Sequence, residues 1–167
     1  MEFVESNDIP TAKEIFKKLI KTKDEYIKVA ATESLAKIMH QENKPKEAYQ
    51  LLLNTNHSSL QTSKGLLYRL AYHAGNYTLV ENLSREIYTL EPSFEIAVLN
   101  SKTFAHLNNP FFAGGWLRTA SQFENVQKKD LESLLQDPAY DRVRNDESFK
   151  KHIADFSCEL GSSSTII

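Results

Sequence analysis

Cysteine, glycine, proline and tryptophan are all scarce in this chain of 167 residues, which holds one Cys, five Gly, five Pro and one Trp. The lone Cys158 has no partner for an internal disulfide, so a disulfide framework is excluded and a reducing, cytoplasmic setting is expected. So few Gly and Pro, with 41% apolar residues, exclude collagen-like, mucin-like and wholly disordered chains. Five Gly is also few for a sheet protein, which uses Gly in turns and bulges. Long apolar runs are missing: none approaches the roughly 18–20 residues of a membrane span. The opening Met1-Glu2-Phe3-Val4-Glu5 lacks the basic start and apolar stretch of a secretory signal. Neither sign of charge dominates, with 20 Lys+Arg against 22 Asp+Glu and a net charge of -2. That balance argues against nucleic acid as a partner, which needs a clustered basic surface.

Helical periodicity fills most of what remains. From Asp24 to Gln41, Tyr26, Val29, Ala30, Leu35, Ile38 and Met39 recur mostly at three- and four-residue steps, with Asp24 as the expected N-cap. A further helix starts at Pro45, a favoured first-turn residue, and carries Ala48, Leu51 and Leu52 on its apolar face. Asn54 to Ser59 reads as a loop before a helix over Leu60 to Ala74. Gly75-Asn76 stops that helix, Tyr77 to Leu90 starts again, and Glu91-Pro92-Ser93 breaks it. Phe94 to Leu107 follows, then Asn108-Asn109-Pro110, then Phe111 to Phe123. No strictly alternating run competes, so the expected fold class is all-α.

The spacing of these helices is the informative feature. Ala48, Val80 and Gly114, each a small or short residue in the second helix of a pair, stand 32 and 34 residues apart, and Ala12 precedes Ala48 by 36. A period near 34 with two helices per unit marks a repeat architecture, because one pair cannot bury its apolar face alone.

On these residues the chain resembles the tetratricopeptide repeat family. Its best copy is Leu67-Tyr68, Ala71, Gly75, Tyr77 and Val80, ending at Ile87 and Pro92. It departs from the family pattern at Lys64, where a large aromatic is usual, and at Val80, where Ala is usual. The copy before it offers Leu35-Ala36, Ala48 and Leu52 without the turn Gly, and the copy after it offers Ala105, Phe111, Gly114 and Ala120. The segment Leu131 to Phe149, with Asp137-Pro138, Tyr140, Val143-Arg144 and Asp146, is similar to the closing segment of bacterial tetratricopeptide arrays. The resemblance implies antiparallel helical hairpins stacked as a short right-handed solenoid with a C-terminal capping helix. One domain over 1–157 is expected, with a partial repeat at 8–22, repeats at about 24–56, 58–92 and 93–125, and a closing cap at 127–157. Leu131, Leu134, Leu135, Tyr140, Val143, Phe149, Ile153 and Phe156 are the expected cover for the last hairpin, and 158–167 is expected to be a flexible tail.

The sequence holds no phosphate-cradling Gly-rich loop, HExxH, CxxC or GxSxG. A catalytic role is therefore not expected, and neither is a cofactor or a metal. His40, His73 and His106 recur at intervals of 33 and 33, each near the end of the first helix of its pair. A helix end favours His through its dipole, which is the plainer reading. Successive packed helices set equivalent atoms on the order of 10 Å apart, too far for one metal. Residues 51–110 carry only eight charges (Lys64, Arg69, Arg85, Lys102, Glu81, Glu86, Glu91 and Glu95), about half the density of the whole chain.

In the resembled family the first helices line a concave groove. Here that lining would be Lys37, His40, Arg69, Tyr72, His73, Thr103 and His106, with Glu33 alongside. Tyr, His and Arg in a weakly charged surface suit an extended peptide. The expected function is thus a non-catalytic scaffold that binds a protein or peptide partner in that groove. Two alternatives stand beside it: a regulatory or localising domain of a larger enzyme or membrane protein, and a homo-oligomerising structural module.

Overall fold

The computed structural model describes residues 8–54 and 61–157, and among them all regular structure is helical. In chain order the helices are α1 (Ile9–Leu19), α2 (Glu25–Gln41), α3 (Pro45–Leu53), α4 (Gln61–Ala74), α5 (Tyr77–Leu90), α6 (Phe94–His106), α7 (Pro110–Ser121), α8 (Lys128–Leu135) and α9 (Glu147–Ser157), with a 3-10 turn at Pro138–Tyr140 between the last two. The segment Glu2–Ser6, the loop beyond Asn54, the tail 158–167 with Cys158, and the side chain of Phe156 lie outside the described residues.

Local chemistry sets most of these boundaries. The Asp8 carboxylate accepts from Thr11 N (3.1 Å), and Asp24 accepts from Tyr26 N and Ile27 N (2.9 and 3.1 Å). The Ser93 hydroxyl oxygen accepts from Ile96 N, and the Asn109 side chain from Phe112 N, both at 3.3 Å. These bonds satisfy amide groups that a helix start otherwise leaves unpaired. Pro45 and Pro110 each open a helix where the missing N–H costs nothing.

Three helix ends share one backbone geometry. Asn43, Gly75 and Asn108 sit in the left-handed region, with φ of 60°, 82° and 55°. At each, two amides turn back on the helix: Asn43 N to His40 O and Lys44 N to Met39 O, Gly75 N to Tyr72 O and Asn76 N to Ala71 O, Asn108 N to Ala105 O and Asn109 N to Phe104 O. This paired 5→2 and 6→1 bonding is the Schellman motif. The next helix begins two residues later in every case, at Pro45, Tyr77 and Pro110. Asn tolerates the left-handed region better than other side chains, which is how two of the three turns form without Gly.

These turns set the register. Five residues after each stands Ala48, Val80 or Ala113, all fully buried. The third equivalent of Ala48 is therefore Ala113 and not Gly114, which lies one residue further along and faces α9.

The described residues group into two compact units, divided between Asn76 and Tyr77. In the first, α1 packs on α2, α2 on α3, α3 on α4, and α2 also touches α4. Its core is Ala12, Val29, Leu35, Ala36, Ala48, Tyr49, Leu52, Tyr68, Leu70 and Ala71. The Lys13 ammonium reaches both Glu42 oxygens at 2.7 and 2.8 Å and ties α1 to the end of α2.

In the second unit α5 packs on α6, α6 on α7, α7 on α9 and α8 on α9. Leu131, Leu135, Tyr140, Val143, Phe149 and Ile153 join Phe104, Ala105, Ala113 and Leu117 in one buried cluster, with Leu134 partly buried against it. Inside this unit the Tyr140 hydroxyl donates to Ser101 Oγ (3.0 Å), which donates to the Ala113 carbonyl (2.7 Å). All three residues are fully buried, so the closing segment meets α6 and α7 through a polar line as well as apolar contact.

Candidate functional site

The seven expected groove residues fall in both units. Lys37, His40, Arg69, Tyr72 and His73 belong to the first, and Thr103 and His106 to the second.

In the first unit three rings come together. His40, from the last turn of α2, and His73, from the last turn of α4, have ring centroids 5.0 Å apart and tilted by 42°. Tyr72 meets His73 edge to face at 5.4 Å and 84°. The separation of about 10 Å expected between successive histidines thus does not hold for this pair, because α2 touches α4 and the side chains lean together across that contact. The register differs too. His40 stands three residues before its turn at Asn43, whereas His73 and His106 stand two before Gly75 and Asn108. The even interval of 33 therefore does not place the three rings at equivalent points. Lys37, one turn before His40 on α2, is exposed. Arg69 is half-buried, and its Nη1 donates to the Gly65 carbonyl at 3.4 Å within α4.

In the second unit Thr103 is fully buried and its hydroxyl has no hydrogen-bond partner among the described residues, so it presents nothing at a surface. His106 stacks flat on Tyr77, with centroids 4.1 Å apart and 10° between planes. Burial pushes its imidazole below the ordinary 6.5; the Asp137 charge opposes this, while Arg142 and Lys102 add to it. Lys102 of α6 pairs with Asp137 beside the 3-10 turn. Burial alone would raise the Asp137 carboxyl, but the Lys102 hydrogen bond and the Ala139 amide outweigh it and hold it below its usual range. Among the described residues no three His, Cys, Asp or Glu side chains converge in a way that could hold a metal ion. No described helix is long and apolar enough to cross a membrane.

Another surface of the second unit was not anticipated from the sequence. Phe111 and Phe112 open α7 and remain 56% and 41% exposed. Phe112 lies 5.1 Å from Phe104 and 5.5 Å from Phe111, and Phe111 meets His152 of α9 at 4.9 Å. One turn along, Trp116 meets Tyr88 of α5 edge to face at 4.9 Å. Two shallow cavities, of about 190 and 210 Å³, share Arg85, Phe112 and Trp116 in their walls. The signal was present as two adjacent Phe after a helix-opening Pro. A helix carries successive residues about 100° apart, so one of such a pair tends to face outward. Which face of α7 is covered depends on α6 and α9, which pack against it and which no local pattern specifies.

Comparison of the chain with protein-family models, with curated proteins and with solved structures returns no match.

Proposed function

We propose that this chain is a non-catalytic interaction module of the helical-repeat kind, similar to tetratricopeptide arrays. The observation that carries the reading is the threefold recurrence of one turn. Asn43, Gly75 and Asn108 each close a helix in the same way, each precedes a new helix by two residues, and each is followed five residues later by a buried small or short side chain. A chain assembled from repeated helix pairs extends its surface with every repeat, and such surfaces serve recognition. Contact between α2 and α4 fits the same reading, because first helices of successive repeats line one face of a solenoid.

In the first unit that face would hold a partner segment. His40, Tyr72 and His73 offer aromatic contact at low entropic cost, and Lys37 and Arg69 offer positive charge for an acidic group. The test is crosslinking and mass spectrometry on native extract with the wild type and with an Arg69→Ala, Tyr72→Ala double variant of unchanged helical content. Loss of a partner by the variant supports the assignment. Unchanged capture of every partner removes it.

A further inference from the structure

The exposed aromatic rings of α7 and the single guanidinium beside them form a surface of defined chemistry, separate from the histidine face of the first unit. We propose that this surface of α5 and α7 binds a protein segment that carries a large apolar side chain next to an acidic residue.

The argument starts with space. The cavity of about 190 Å³ is lined by Arg85, Phe111, Phe112, Gly115, Trp116 and Thr119. A cavity of roughly 150 Å³ accommodates benzene, so there is room for one phenylalanine or leucine side chain. The space exists because Gly115 has no side chain, and a Cβ built there meets no atom within 4 Å. The walls are aromatic, and Phe111 and Phe112 leave 56% and 41% of their surface in water. Covering such rings is the main gain available to a partner.

Charge then selects the partner. Arg85 is the one formal charge in that lining, it is exposed, and among the described residues it has no ion pair. A planar guanidinium between aromatic groups takes a carboxylate by paired hydrogen bonds. The adjoining cavity of about 210 Å³ also contains Glu81. The acidic group of the partner therefore seats on the Gly115 side, away from that carboxylate.

Trp116 is the only tryptophan of the chain and stands in the cavity wall, so its fluorescence reports occupation directly. The probe is an acetylated and amidated peptide in which one phenylalanine is flanked by two glutamates. Comparison peptides replace both glutamates by glutamine, or the phenylalanine by alanine. The expected result is a saturable change in Trp116 emission with the first peptide. Glutamine should weaken it about three- to fivefold, as for an exposed ion pair, and alanine more than about fivefold. Arg85→Gln should reduce the acidic peptide to the affinity of the glutamine peptide. Gly115→Leu should abolish binding by filling the cavity while the circular-dichroism melt shows the protein folded.

Arg69→Ala with Tyr72→Ala should bind the probe normally, which separates this surface from the groove of the first unit. Three outcomes overturn the proposal. One is no emission change at millimolar peptide, and another is equal affinity for the acidic and glutamine peptides. The third is a dimer in sedimentation that Phe112→Ser dissolves, since a second copy would then be the occupant.

Discussion

Gly114 of α7 and His152 of α9 approach so closely that a Cβ on Gly114 would lie 2.8 Å from the His152 Cβ. The Phe149 carbonyl oxygen would lie 3.2 Å from that Gly114 Cβ. Both obstacles are fixed, one being backbone and the other the root of a side chain. Gly114→Ala is therefore expected to push α9 off α7. Overpacking of about 1–3 kcal/mol outweighs the gain of about 1 kcal/mol in helix propensity. A lower urea midpoint for the variant is the result to look for.

The neighbouring glycine should respond with the opposite sign. A Cβ on Gly115 meets nothing within 4 Å, and the residue lies inside α7. Gly115→Ala then keeps the propensity gain with no steric cost and should stabilise the second unit by about 0.5–1 kcal/mol. Thermal unfolding of the two variants side by side checks the pair. Stabilisation by Gly114→Ala would refute the close α7–α9 contact, and destabilisation by Gly115→Ala would refute the open space at that position.

The three left-handed turns can be tested as a set. Gly75 has φ of 82° and open space around a built Cβ, so Gly75→Ala meets only backbone strain, about 1–2 kcal/mol. Asn43→Gly and Asn108→Gly, at φ of 60° and 55°, should change stability by less than about 0.5 kcal/mol. Chemical denaturation of the three single variants separates these outcomes. A large loss at either Asn would mean that its side chain matters beyond the turn.

Three groups of the second unit, His106, Asp137 and Asp146, make its stability depend on pH. His106 is held below its ordinary 6.5 by burial. Above that value the imidazole is neutral in folded and unfolded chains alike. As pH falls past it the unfolded chain takes the proton first, so stability declines from about pH 6.5 until the folded pKa is passed. Asp137 is held below its ordinary 3.8, so its contribution is complete above that value and is lost as pH falls through the lowered one. The urea midpoint should thus drop in two stages on acidification. His106→Gln should remove the upper stage, and Asp137→Asn should shrink the lower, which Asp146, held down by its Ser148 hydrogen bonds, shares.

Much of the secondary structure was legible because punctuation residues act locally. Tyr77–Leu90 is found as expected, Asp24 caps α2, and Pro45 opens α3. The largest shift is in α7, which begins at Pro110 and stops at Ser121, short of the expected Phe123. The apolar residues expected to cover the last helices were legible as well, since Leu131, Leu135, Tyr140, Val143, Phe149 and Ile153 are all buried. The breaks at Asn43 and Asn108 were legible too, but their left-handed geometry was not, because Asn reads as an ordinary loop residue unless the backbone shows its positive φ. That missing information displaced the register by one residue, which is why Gly114 stood in for Ala113 and His40 fell in line with His73 and His106.

What the chain determines by itself is its division into helices, because caps, prolines and a three- to four-residue apolar period act within a few residues. Only the tertiary structure decides which side of each helix is covered. Thr103 and Phe112 both stand on strongly apolar helices, yet one is sealed inside and the other is 41% exposed. The difference lies in how the helices of one unit pack on each other, a long-range property that scarce glycine and balanced charge could not convey. Even the scarcity of glycine changes meaning in the fold: Gly75 serves a turn, Gly114 a helix contact, and Gly115 leaves room beside Trp116 and Arg85.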